Sequence, residues 1–194
     1  MCTRRGGGSP AAPGAASTAA RVATALAALD RIPIDPDALE IDEDSQEIRN
    51  PLIPQNADMR EWAAQANEIN ALSHRVMTPL FGNNWPTDDS VAVPTTISVS
   101  SIRTAQSLVD GIGVRGYIQR IAAGQGVAGR AGSDMPVVYK IDGKHYIEDG
   151  NHRVVAAKLM GESTIRARVV DLDNMRSEGV DIGESRLRRV GLLR

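Results

Sequence analysis

The chain has 194 residues, a net charge of −2 and an isoelectric point near 5.9, which excludes a protein that binds nucleic acid through a global basic field. Hydrophobic residues make up 42% and charged residues 24%, a globular balance, but aromatics are only 3%, so the core must be built from Val, Ile, Leu, Ala and Met. The one cysteine, Cys2, excludes an intramolecular disulfide, and no apolar run approaches the ~20 residues of a membrane span, so neither a membrane partner nor an export signal is expected.

Residues 1–16 are low in complexity (Arg4-Arg5, Gly6 to Gly8, then Ser, Pro and Ala) and read as a flexible leader. Residues 17–92 read as a helical and Pro-rich extension. Ser17 or Thr18 caps a helix expected from about Ala19 to Leu29, with Val22, Leu26 and Leu29 on one face. Pro33, Pro36, Pro51 and Pro54 then predict an extended arm, in which the acidic run from Glu40 to Asp44 is a solvated face. Asp58 caps a second helix, from Met59 to about Met77, whose apolar face is Trp62, Ile69, Leu72 and Val76. His74, in its last turns, has no grouped ligand residues around it in sequence and reads as structural. The loop from 79 to 94 carries Phe81 and Trp85, either as anchors onto a core or as a contact surface for a protein partner, to which the N-terminal arm would contribute.

From Thr95 the texture changes. Thr96 to Val99 alternates like a strand, and Val114 to Ala123 has helical spacing. The Gly-rich stretch from Gly124 to Ser133 lacks the order of a Walker loop and reads as a flexible connection or lid. Pro136 to Ile141 is a strand, Asp142-Gly143-Lys144 a tight hairpin turn and His145 to Glu148 the returning strand. Asn151 to Met160 is a helix closed by Gly161, and Thr164 to Asp171 is a half-exposed strand. A hairpin, a helix and a strand thus follow in order with short joints; the fold class, α/β of the α+β kind with a mixed sheet and packed helices over residues 93–173, is what the family resemblance given below implies. Residues 174–194 form a basic tail in which Arg186, Arg188, Arg189 and Arg194 interleave with Leu187, Val190, Leu192 and Leu193. Such a tail either packs back on the domain with its arginines solvated or touches nucleic acid or an acidic partner.

The run Glu148-Asp149-Gly150-Asn151-His152-Arg153 is the place where chemistry is expected. The first amides of a helix lack intrahelical partners and sit at the positive end of its dipole, so a phosphate is favoured there. Gly150 permits a sharp turn and close approach, Arg153 grips phosphate oxygens with two parallel bonds, and His152 adds a donor that titrates. Glu148 and Asp149 offer carboxylates as a base or to a cation. Candidate catalytic residues are thus Glu148, Asp149 and His152, and candidate phosphate- or nucleotide-binding residues Gly150, Asn151, His152 and Arg153. No metal-ligand set of the protein's own is expected. The same residues fit a structural reading: Asp149 or Asn151 as a helix cap, His152 packed with Val155, Ala156 and Leu159, and Arg153 in a surface ion pair.

The stretch Ile147-Glu148-Asp149-Gly150-Asn151-His152-Arg153-Val154-Val155-Ala156-Ala157-Lys158-Leu159-Met160-Gly161 resembles the signature of ParB/sulfiredoxin-like (ParB-like nuclease) domains, in which a strand is followed by G-E-R-R, an Ala pair and a closing Gly. The segment from Ser100 to Tyr117, with Gln106 and Val109, is similar to the part that precedes that signature, so the resemblance spans residues 93–171. Asn151 and His152 depart from the Glu and Arg of partition proteins, and Asn151 stands where sulfiredoxin has its cysteine, which rules out sulfinic-acid reduction. Small-molecule kinases of the group carry D-G-H-H-R, matched here by Asp149, Gly150, His152 and Arg153. The resemblance implies a phage or mobile-element member, located in a bacterial host's cytoplasm or a virion. It implies a nucleotide or nucleic-acid phosphate as the ligand, Mg²⁺ with the nucleotide as the cofactor, and phosphoryl transfer or phosphodiester hydrolysis as the reaction. The alternative is a non-catalytic structural or adaptor protein that uses the fold as a docking module. Fold alone does not choose between them.

Overall fold

The computed structural model describes residues 17–42, 44–125 and 135–194 of the chain, so the expected leader and all but the start of the Gly-rich loop lie outside the described residues. The elements run α1 (Thr18–Leu29), α2 (Pro36–Ile41), β1 (Glu47–Arg49), α3 (Met59–Leu72), a π-turn (Ser73–Met77), α4 (Thr78–Phe81), β2 (Val93–Ser98), β3 (Ile102–Thr104), β4 (Leu108–Asp110), α5 (Gly111–Ala122), β5 (Val137–Ile141), β6 (Lys144–Asp149), α6 (Asn151–Leu159), β7 (Thr164–Asp171), α7 (Leu172–Ser177) and α8 (Glu184–Arg189). Five strands form one mixed sheet in the order β2-β7-β5-β6-β3, and β1 and β4 form a separate two-stranded ladder. This mixed sheet with packed helices is the α+β arrangement expected from the sequence.

The hairpin β5–β6 is the centre of the sheet. Its turn places Asp142 at φ 50° and Gly143 at φ 72°, the positive pair that a two-residue hairpin requires. From β6 the chain turns at Gly150 into α6, and β7 then returns to pair in parallel with β5. Helices cover both faces. On one, Val114 and Ile118 of α5 and Val154 and Val155 of α6 pack with Val138, Ile147 and Ile165, and α1 joins them through Ala25 and Leu29. On the other, Ile69 and Leu72 of α3 and Leu187 of α8 pack with Tyr139, Ile141 and Val170. The C-terminal segment thus packs back on the sheet: Leu187, Leu192 and Leu193 are buried, while Arg186, Arg188, Arg189 and Arg194 remain exposed.

Three local features differ from the sequence reading. In the Pro-rich arm, Pro36 begins a helix rather than breaking one, because the first helical position needs no amide and Asp35 caps it by accepting from Asp37 N–H at 3.0 Å. The arm is not simply extended either, since Ile48 pairs with Val109 in the β1–β4 ladder and Asn50 N–H reaches Ser107 O at 2.7 Å. The second helix runs on to Phe81 through the π-turn, in which Thr78 N–H bonds Ser73 O five residues back. Pro79 has no amide and its ring crowds the preceding turn, and the wider register relieves that crowding. Trp85 anchors its loop, buried to 3% exposure and stacked on Tyr139 at 5.9 Å, whereas Phe81 stays 40% exposed.

Candidate functional site

The junction between β6 and α6 begins with a bulge. Val138 pairs with Ile147 and Val137 with Asp149, so Glu148 and Asp149 together oppose one residue of β5. Crowding of two carboxylates follows. Burial first, then the charge of Asp149, pushes the Glu148 carboxyl above its ordinary range, while His74 pulls it back. Burial pushes the Tyr139 phenol up strongly, and the charge of Glu148 adds to the shift, so Glu148 lies within electrostatic reach of Asp149, His74 and Tyr139.

Gly150 then turns the chain at φ 97° and ψ 26°. A Cβ at this position would lie 2.9 Å from Pro136 Cβ and 3.0 Å from Pro136 Cα, so the site demands glycine both for its conformation and for the close passage of Pro136, just before β5. Because Gly150 is the N-cap, no side-chain hydrogen bond caps α6.

The next three residues have separate surroundings. Asn151 is buried at 7% exposure. Its Oδ1 accepts from Thr104 Oγ1 at 2.6 Å and from Asn50 Nδ2 at 3.2 Å, and Asn50 Oδ1 in turn accepts from Leu52 N–H at 3.0 Å. This closed polar group ties residue 50, the end of β3 and the start of α6 to one another. His152 Nε2 accepts from Asp110 N–H at 3.2 Å, which leaves Nδ1 as its protonated nitrogen. Its ring lies 3.0 Å from where a Cβ on Gly113 would sit, so Gly113 admits it to the start of α5. Arg153 donates from Nε to the Tyr117 hydroxyl at 3.0 Å and lies over the Tyr117 ring at 5.6 Å. Two contacts to one aromatic ring fix the direction of the guanidinium.

No family model, curated protein or solved structure matches this chain. The geometry therefore stands by itself. It sets Gly150, Asn151, His152 and Arg153 in the first turn of α6, with Glu148 and Asp149 at the bulge before it. The charges acting on the Glu148 carboxyl are those of Asp149 and His74, whereas His152 meets Asp110 and Gly113. Among the described residues, no three His, Cys, Asp or Glu side chains gather closely enough to hold a metal ion. None of the described helices is long and apolar enough to cross a membrane.

Sequence reasoning missed Tyr117, Thr104, Asn50 and Asp110, the residues that position the junction. Tyr117 had a usable signal, since it is one of three tyrosines in an aromatic-poor chain and sits on an expected helix. Asn50 had none, because its role depends on a contact across 101 residues of sequence.

Proposed function

We propose that this chain is a ParB/sulfiredoxin-like domain that binds the phosphate of a nucleotide or of a nucleic acid at the first turn of α6, as a binding protein of a bacterial cytoplasm or a phage virion. The observation that carries this reading is the start of α6: a left-handed glycine with no side-chain cap, next to an arginine directed by Tyr117. Helix amides and dipole favour an anion there, and the guanidinium supplies paired donors. In this reading Arg153 holds phosphate and His152 offers Nδ1–H. Asn151 holds the turn in place through Thr104 and Asn50. Mg²⁺, where a nucleotide needs it, arrives on the nucleotide's own phosphates.

Binding is supported better than turnover. Phosphoryl transfer or phosphodiester hydrolysis needs a base aligned beside the phosphate. Glu148 is grouped with His74 and Tyr139, and His152 Nε2 is taken up by Asp110 N–H.

Calorimetric titration of ATP, ADP and CTP with Mg²⁺ tests the proposal. The wild type binds at least one of them, and Arg153→Ala weakens it tenfold or more, the ~1.4 kcal/mol or more expected of a charged phosphate contact. No binding of any of the three by the wild type would sink the nucleotide reading.

A docking module is the second reading. It is favoured by the exposed apolar side chains Leu80 (51%), Phe81 (40%) and Val93 (50%), of which Phe81 and Val93 line a groove of about 890 Å³ beside the edge strand β2. In that case Arg153→Ala leaves partner binding unchanged, and Phe81→Ser weakens it.

A further inference from the structure

Thr104 has a second neighbour. Its hydroxyl serves the start of α6, but its backbone carbonyl accepts the indole N–H of Trp62 at 3.2 Å. Beyond Trp62, the loop 52–58, the first turns of α3 and the paired strands β3 and β6 enclose a cleft of about 240 Å³. Leu52, Ile53, Ala66, Ile69 and Tyr146 give it a buried, mostly apolar floor, and half-buried Trp62 forms one wall.

Four charged side chains stand at its mouth, and they are not equivalent. Asp58 is committed to capping α3, accepting from Arg60 N–H at 2.9 Å and Glu61 N–H at 3.3 Å. Glu61 accepts from Gln65 Nε2 at 2.9 Å. The two cations are less engaged. Arg103 is exposed, and its charge partly offsets the upward push that burial gives the Tyr146 phenol, and the Lys144 side chain makes no hydrogen bond or ion pair among the described residues. Arg103 pairs with Tyr146 in the parallel β3–β6 ladder, and Lys144 lies two residues before Tyr146 on the same strand. Alternation along a strand then puts Arg103, Lys144 and Tyr146 on one face.

We infer that this cleft binds a small organic anion with a flat apolar body, of the aromatic carboxylate class. The ring lies against Trp62 and over the apolar floor, and the carboxylate sits between Arg103 and Lys144. Small-molecule sites combine an apolar lining with a few placed polar groups, and a volume just below their usual range suits one or two rings. The guanidinium takes a carboxylate with two parallel bonds, and Asp58 and Glu61 face the α3 amides and Gln65 rather than pairing with the two cations. The site is separate from the first turn of α6 and does not depend on that turn binding phosphate.

The test uses 2-naphthoate as the probe and 2-naphthalenemethanol as its neutral twin, on the full chain, read at the Trp62 indole N–H by proton–nitrogen NMR. Naphthoate is expected to shift Trp62 and not buried Trp85, with a dissociation constant of about 1 mM, the strength typical of so small a ligand. Arg103→Gln with Lys144→Gln weakens naphthoate tenfold or more without lowering the thermal midpoint, and leaves the neutral twin's weaker binding unchanged. Lys144→Gln alone, which breaks no bond in the protein, weakens it about threefold. The exposed control Arg166→Gln binds as the wild type does. No shift at Trp62 up to about 10 mM probe, or equal binding of naphthoate and its neutral twin, overturns the inference.

Discussion

Gly150→Ala tests the junction on which the candidate site is built. At φ 97° an alanine carries the cost of a left-handed backbone, about 1–2 kcal/mol. Its Cβ would also meet Pro136 at 2.9 Å and 3.0 Å, and because one of those atoms is backbone, the chain leading into β5 must shift, which adds about 1–3 kcal/mol. The sum is about 3 kcal/mol, or a fall in melting temperature of about 6–12 °C for a chain of this size. Gly143→Ala provides the comparison. Its φ is 72°, but nothing lies within 4 Å of an added Cβ, so only the conformational part remains, about 1 kcal/mol. Urea unfolding followed by circular dichroism measures both. Gly150→Ala should cost clearly more than Gly143→Ala, and equal costs would refute the close passage of Pro136 under the turn.

Two further outcomes follow from the surroundings of the site. Thr104→Val keeps the shape but removes the hydroxyl that bonds Asn151 and receives Gln106 N–H, and urea unfolding should show a loss of about 1–3 kcal/mol, whereas Thr104→Ser should lose about 1 kcal/mol or less. Glu148 gives a pH dependence with a definite sign. Its folded carboxyl titrates above the ordinary 4.5 because of burial and Asp149, so ionisation disfavours the folded state, and that penalty is absent below the ordinary value and complete above the raised one. Glu148→Gln should therefore be more stable than the wild type at neutral pH, and the gain should vanish as the pH falls below 4.5. A gain that is constant across the pH range would contradict the assignment.

Where local chemistry decides the structure, the sequence was readable. Asp142-Gly143 specifies its hairpin turn, Gly161 at φ 70° closes α6, and Asp58 and Ser17 cap the helices that follow them. What depended on contacts distant in sequence was not readable. The three-residue strands β1 and β4 are too short to show a period, and pair residues about 60 positions apart. The candidate site divides in the same way. Gly150 and Arg153 were legible because a strand-to-helix turn and a cation beside it are local facts. The burial of Asn151 was not, since it follows from Thr104 and Asn50 arriving from elsewhere. Neither was the separation of Glu148 from His152, which comes from a β-bulge and from the amide of Asp110.

The central claim is that phosphate is held at the first turn of α6, and an amide-resolved NMR titration with ATP and Mg²⁺ addresses it most directly. The account predicts that the largest shifts fall on the backbone amides of Asn151 and His152 and on the Arg153 side chain, and that the amide shifts disappear in Arg153→Ala. Shifts confined to residues away from α6, or none at all, would contradict it.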